Sequence, residues 1–191
     1  MSVGGYSLRP FSELDIPQRA SWLCDPRTSD TMPLEGHITE ASTRAWWARV
    51  QQDHTRCDVV LEQSGRVVAM GGLTGFDPST RRAELYAFVS PVHHGQGYGT
   101  QLVSRLCNLG FSAARLNRVF LWTYAMNAPA IALYSKVGFI TEGCLRQHSV
   151  TRGTLLDRQV MGLLRAEWQA LPWADPGVQY SWFRDKFGIG N

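Results

Sequence analysis

The sequence predicts an α/β domain, with helices flanking a mixed, largely antiparallel sheet. Three apolar runs of strand length, 57–62, 66–74 and 82–89, follow one another with turn residues between them. A glycine-rich loop, His93-His94-Gly95-Gln96-Gly97-Tyr98-Gly99-Thr100, then separates the last run from a segment that is apolar at helical spacing. Another strand-like run, 118–123, comes next, so the order strand, loop, helix, strand forms a crossover that joins parallel strands.

Each element has its own signal. Tyr6 to Arg9 reads as a short strand, and Ser12 suits the cap of a helix whose first turn carries Glu13 and Asp15. Residues 25–37, with Pro26 and Pro33, read as a loop. Thr39 opens a second helical pattern through Ala45, Trp46, Trp47 and Val50, where one tryptophan should face the core and the other an acceptor or a second subunit. Gln63-Ser64-Gly65 has the composition of a tight hairpin turn and Asp77 to Arg81 that of the next loop, so the three strand runs form an antiparallel meander. Leu102, Val103, Leu106, Leu109, Ala113 and Leu116 line one helical face. Arg146 and Asp157 fall in the closing strands, where an ion pair is the expected use.

Composition bounds the function. A chain of 191 residues with 44% hydrophobic and 18% charged residues suits one buried domain, expected over 1–168. The stretch 169–191, with Trp173, Tyr180, Trp182, Phe183 and Phe187, has too many aromatics for a polar tail. It is expected to pack on this domain or on a partner subunit of a homodimer. The net charge of +3 carries no basic tract of the kind that binds nucleic acid. Cys24, Cys57, Cys107 and Cys144 form no CxxC pair, which argues against zinc or a disulfide framework, and no metal is expected. Lacking a signal-like or membrane-length apolar stretch, the chain is expected to be cytoplasmic, with no membrane partner.

The glycine loop fits neither familiar nucleotide motif. A P-loop requires lysine after its second glycine, and here Gly99 is followed by Thr100. The dinucleotide fingerprint starting at Gly95 and Gly97 requires glycine at 100 and an acid near Arg115 to Arg118, and has neither. A plain turn is the simplest alternative. Yet the loop stands at the carboxyl end of one strand and the start of a helix, where outward N–H groups and the helix dipole favour a phosphate.

The stretch "YAFVSPVHHGQGYGTQLV" resembles the acyl-CoA-binding motif of the GCN5-related N-acetyltransferases, with Gly97 and Gly99 matching and His94 standing where the family has Arg or Gln. "NAPAIALYSKVGF", 127–139, is similar to the family's second signature, and 142–168 to the closing strands of its ribosomal-protein alanine and polyamine acetyltransferases. The resemblance implies a sheet split where two parallel strands diverge to admit acetyl-CoA. It implies thioester contacts at Phe88 and Val89, a pantetheine or helix-capping role for Asn127, and Tyr134 as the acid for the departing thiolate. The alternative for Tyr134 is a core aromatic. A strand ending in Ser90-Pro91 suits departure from its neighbour.

Backbone N–H groups of Gln96 to Thr100 suit the pyrophosphate, with Gly97 and Gly99 allowing close approach, the Thr100 hydroxyl in the first helical turn, and His94, Gly95 and Tyr98 beside it. Glu84 is the expected general base. Strand alternation places it with Tyr86 and Phe88 on one face of an apolar strand, where burial would raise its pKa; an arginine-paired edge glutamate is the alternative. His37, Trp46, Trp47 and Tyr86 are candidates for the acceptor side. The expected reaction is direct acetyl transfer in a ternary complex to the primary amine of a small molecule: an amino sugar, polyamine or antibiotic-like amine. A protein N-terminus is the alternative acceptor, and a non-catalytic acyl-CoA sensor the alternative function.

Overall fold

The computed structural model describes residues 5–34 and 36–183. Strands β1 (Tyr6–Pro10), β2 (Cys57–Gln63), β3 (Arg66–Asp77), β4 (Arg82–Val89), β5 (Arg118–Tyr124), β6 (Ile140–Thr151) and β7 (Thr154–Leu164) form one sheet in the order β1-β2-β3-β4-β5-β7-β6. Every neighbouring pair is antiparallel except β4 and β5, which are parallel. The meander holds in the expected order. Ser64 and Gly65 both take positive φ, 51° and 77°, as a two-residue hairpin turn between right-twisted strands requires.

The sheet opens between the parallel strands. Their register is limited to Arg82↔Arg118, Ala83↔Val119 and Glu84↔Phe120. Beyond Glu84, β4 stays paired with β3 as far as Val89, while β5 stays paired with β7 as far as Tyr124. The opening therefore begins well before Ser90-Pro91, contrary to the expectation from sequence. Each strand keeps its other neighbour, and Pro91 only starts a single 3₁₀ turn, Pro91–His93.

Two apolar clusters sandwich the sheet. On one face, Val59, Leu61, Leu73, Leu85, Val119, Leu121, Met161 and Leu163 pack with Leu102, Val103 and Leu106 of α4 (Tyr98–Asn108), and with Tyr134 and Val137 of α5 (Ala128–Val137). On the other face Val60, Met70 and Phe88, in register across β2, β3 and β4, meet Phe11, Ile16, Trp22 and Leu23. The last three belong to α1 (Ile16–Cys24), which follows a 3₁₀ turn, Glu13–Asp15; α3 (Glu40–Val50) flanks it. No residue of β5, β6 or β7 belongs to this second cluster, so α1 and α3 cover only the β1 to β4 half of that face.

Local sequence explains the helix starts. The Ser12 backbone N–H and hydroxyl both donate to Asp15, at 2.8 and 2.9 Å, and Thr39 Oγ1 accepts from the Ser42 N–H at 3.0 Å. Within the expected loop 25–37 lies a short helix, α2 (Pro26–Ser29), with Asp25 as its cap and Pro26 in its first turn. Trp46 and Trp47 do not divide between core and surface. Both are half-buried and flank Phe11, at centroid distances of 5.6 and 5.1 Å, because adjacent helical positions straddle the edge of the buried stripe. Asp157 accepts the Gln147 N–H at 2.8 Å, and among the described residues no ion pair joins it to Arg146.

A short helix, α6 (Arg165–Gln169), and the chain after it lie against the α4 side. Asn108 is the pin: its Oδ1 accepts Trp168 Nε1–H at 2.8 Å and the Asp175 N–H at 3.1 Å. Phe183 is fully buried beside Phe76, with ring centroids 6.1 Å apart. Phe187 and the rest of the extension lie outside the described residues.

Candidate active site

The glycine loop reaches α4 through backbone that side chains disfavour. Gly95 and Gly97 have φ of 76° and 85°, Gly97 is the N-cap of α4, and nothing lies within 4 Å of where either Cβ would be. Both therefore present open backbone at a helix N-terminus. Gly99 differs. A Cβ there would stand 2.4 Å from Leu133 Cδ1 on α5, so the missing side chain also serves the packing of the two helices.

Beside this loop, where the sheet parts, lies a cavity of about 660 Å³. Its walls include Phe88 and Val89 from the end of β4, and His94, Gly95, Gly97, Tyr98, Gly99 and Thr100 from the loop and first turn of α4. Asn127, Leu133 and Tyr134 close it from the α5 side. Every residue expected to hold the cosubstrate lines this space except Gln96, which is exposed. Asn127 also caps α5, its Oδ1 accepting the Ala130 N–H at 3.2 Å. The Tyr98 side chain turns away to structural work: its hydroxyl donates to Gln63 at 2.6 Å and its ring meets Tyr6 edge-on. His94 is exposed, with Nε2 3.3 Å from the carbonyl of Val89. Its ring thus stands over the strand end rather than inside the helix-start cradle.

Several wall residues gave no signal in the sequence reading. α2 supplies Arg27 and Thr28, the turn after it supplies Thr31, and α5 adds Lys136. Asp25 binds Arg27 through both oxygens, at 2.9 and 2.7 Å, and this pairing holds its carboxyl down at about 2. Thr28 Oγ1 and His93 Nδ1 are buried with no hydrogen-bond partner among the described residues. Unsatisfied polar atoms, two cations and a helix start free of Cβ atoms fit an anionic, hydrogen-bonding cosubstrate such as an acyl-coenzyme A. Helix α2 had a readable signal, Asp25-Pro26, the pairing of a cap with a first-turn proline.

Tyr134 is 8% exposed, sits edge-on to Phe139 at 5.9 Å, and has its phenol pushed up to about 12 by burial. It stays protonated across the neutral range. Glu84 does not line the cavity; it stands at the apex of the sheet opening, paired across to Thr74 and Phe120. Burial raises its pKa, and the charge of Arg158 pulls the other way. It belongs to no ion pair among the described residues, since Arg82 faces Asp77 at 3.8 Å.

Tyr86 and Phe88 follow Glu84 on the same face of β4. The Tyr86 hydroxyl donates to Asp58, whose carboxylate Arg56 also holds at 2.8 and 2.7 Å, and burial pushes the Tyr86 phenol well up. Trp46 lies against two guanidiniums, with Arg19 at 4.0 Å and Arg56 at 5.4 Å from its ring. His37 is exposed ahead of α3 and does not reach the cavity. Cys107 is buried and its thiol pushed far up, and exposed Cys144, on β6, pairs with Gln159 of β7; neither lines the cavity. Among the described residues, no three potential metal ligands cluster, and no helix is long and apolar enough to cross a membrane.

Fold and site together place the chain in the class of N-acetyltransferase-type α/β proteins. The chain belongs to the GNAT acetyltransferase family: the family model described as "Acetyltransferase (GNAT) domain" matches residues 7–140. An uncharacterized N-acetyltransferase, p20, from Bacillus licheniformis is 28% identical over 113 residues, which are 59% of this chain and 64% of that protein. The spermidine N(1)-acetyltransferase of Escherichia coli K12 is 29% identical over 101 residues, 53% of this chain and 54% of its own. The chain thus spans less than two thirds of the length of either relative. The crystal structure of spermidine N-acetyltransferase from Vibrio cholerae in complex with CoA and spermine superposes with a TM-score of 0.81 at 20% identity, covering 85% of this chain and 97% of that one.

The cavity cations carry a direct expectation. Arg27→Gln and Lys136→Gln should each raise KM for acetyl-CoA about threefold with kcat little changed, as partly solvated charge contacts do. The double variant should also lose most of the salt dependence of KM. Steady-state kinetics at low and high salt check both.

Proposed function

We propose that the protein transfers an acetyl group from acetyl-CoA to the primary amine of a small molecule, by direct transfer with both substrates bound. One observation carries the reading: the cavity at the sheet opening joins a Cβ-free helix start to Tyr134, with Glu84 at the apex of the same opening. Family membership supports the chemistry, and the names of the spermidine acetyltransferases support an amine as acceptor.

Bound acetyl-CoA supplies the acyl group as a thioester. The open backbone at Gly95 and Gly97, with Arg27 and Lys136, holds its phosphates, while Phe88, Val89 and Asn127 line its arm. Glu84 accepts a proton from the acceptor ammonium, directly or through water, and passes it to solvent. Tyr134 donates its phenolic proton to the leaving sulfur and recovers one from the nitrogen as the amide forms. Ammonium and thioester become amide, thiol and one released proton. The distance from Glu84 to the Phe88 end of β4 is about 13 Å at strand rise, so a water relay or a long acceptor bridges the two.

Thiol release from acetyl-CoA across a panel of amino sugars, polyamines, aminoglycosides and N-terminal peptides tests the proposal. Turnover on small amines is expected. Coenzyme binding without turnover on any amine would favour a sensor, and turnover on peptides alone would favour an N-terminal acetyltransferase. Tyr134→Phe should lower kcat about 100-fold with KM for acetyl-CoA nearly unchanged, the usual size of a lost general acid; an unchanged kcat removes Tyr134 from the mechanism.

A further inference from the structure

We infer that the acceptor amine carries an anionic group, a carboxylate or phosphate, and that Arg158 on β7 holds that group while Glu84 faces the amine. The inference rests on the acetyl-transfer reading of the site.

Arg158 is an incompletely satisfied cation. Its Nε is buried without a hydrogen-bond partner, and among the described residues it forms no ion pair. Its guanidinium lies 5.3 Å from the Trp122 ring, and His148 stacks on that ring at 5.8 Å and 14°. The platform under the cation is therefore itself held. The buried Nε is closed to solvent, so a ligand would meet the guanidinium through the terminal N–H groups of this half-buried side chain, whose charge has no counterion among the described residues.

Register puts this cation on the Glu84 face. Glu84 is level with Phe120, and alternation along β5 places Trp122 and Tyr124 on the same side as Phe120. Arg158 pairs with Tyr124 and so shares that side. Because β4 and β5 part beyond Glu84 and Phe120, Glu84 stands at the apex and Arg158 on the β5 and β7 bank. The two are close enough for the Arg158 charge to act on Glu84. Since α1 and α3 cover only the opposite bank, this one lies outside their cluster.

The balance of charge among the described residues disfavours a polycation. On the β4 bank, Asp58 is already held by Arg56, whereas Arg19, 9% exposed against Trp46, has no carboxylate partner among the described residues. Among the described residues, Arg19 and Arg158 are thus two cations without an ion pair on the face that carries Glu84, Arg19 lying by the Tyr86 and Phe88 rings. A polyamine would bring further positive charge to a face that already has an excess. An acceptor with ammonium at one end and an anion at the other places each beside its opposite, and recognition by a paired guanidinium is strong and directional.

Matched amines test this. 4-Aminobutanoate against 4-aminobutanamide, and 2-aminoethyl phosphate against ethanolamine, separate carboxylate from phosphate; 1,4-diaminobutane supplies the dication. The full chain is assayed for thiol release with each, and the same amines are titrated calorimetrically into the CoA-saturated protein. The anionic member of at least one pair is expected to have a kcat/KM about tenfold or more above its neutral partner, with the diamine poorest. Arg158→Gln should close that gap by raising KM for the anionic member, and Arg158→Lys should restore part of it. CoA affinity of each variant shows that it folds. A wild-type protein that prefers neutral or dicationic amines overturns the inference, as does an Arg158→Gln effect equal on all amines. If no amine is acetylated, the proposed function fails instead, and the titrations decide this inference: Arg158-dependent binding of an anionic amine sustains it, and its absence overturns it.

Discussion

Glu84→Gln is expected to lower kcat/KM by about 10²- to 10⁴-fold, the range in which loss of a positioned general base falls. The pH profile should change with it. Burial raises the Glu84 pKa against the pull of Arg158, so the wild-type carboxyl is still partly protonated at pH values where an exposed glutamate is fully ionised. Only the carboxylate accepts a proton, so activity should rise with pH through this raised value and level off above it. In Glu84→Gln that limb disappears and any residual rate follows the ionisation of the free amine. Rates of wild type and variant from pH 4.5 to 9, with CoA binding as the check on folding, decide the matter. An unchanged limb in the variant assigns the base to another group.

Gly72→Ala should cost about 3 kcal/mol of stability, the upper part of the range for overpacking a filled interior. Gly72 sits in β3 between Asp58 of β2 and Tyr86 of β4. An added Cβ would lie 2.4 Å from the Cys57 carbonyl oxygen and 2.9 Å from Tyr86 Cε1. The carbonyl belongs to a paired strand and yields only if the ladder shifts; the ring yields only by leaving Asp58. Either response disturbs the Arg56, Asp58 and Tyr86 network. For a chain of 191 residues this corresponds to a melting temperature lower by roughly 6–12 °C. Thermal and urea unfolding measure it, and a variant that melts with the wild type would show that the strands accommodate a methyl group.

What was legible in the sequence follows its range of interaction. Strand alternation in "AELYAFV" separated Glu84, Tyr86 and Phe88 from Ala83, Leu85, Ala87 and Val89, and the two apolar clusters divide those residues in the same way. The order of strand, glycine loop and helix located the cavity, because a parallel crossover leaves its loop at one end of the sheet. Features set by contacts distant in the chain were not readable. The point where β4 and β5 part depends on each keeping its outer partner, so Pro91 was a misleading local cue. Arg158 and Trp122 meet through a register between β5 and β7 that their own neighbourhoods do not encode. Helix α2 has only four residues, too few for any periodicity to show, although its cap and proline were visible. The packing role of Gly99 was not readable because the loop pattern is silent about Leu133, 34 positions further along.

The contact between Gly99 and Leu133 bears on how wide the sheet opening stands. α4 continues from the β4 half of the sheet and α5 from the β5 half, and the two helices touch where Gly99 has no side chain. That contact works as a spacer joining the two halves on the face of the sheet that α4 and α5 cover. A bulkier residue at position 99 would first displace the end of the Leu133 side chain, which lies 2.4 Å from where a Cβ would stand. Gly99 therefore meets two surfaces at once, the cavity wall and the side of α5, so its missing methyl group sets the fit between the two helices where they border the opening.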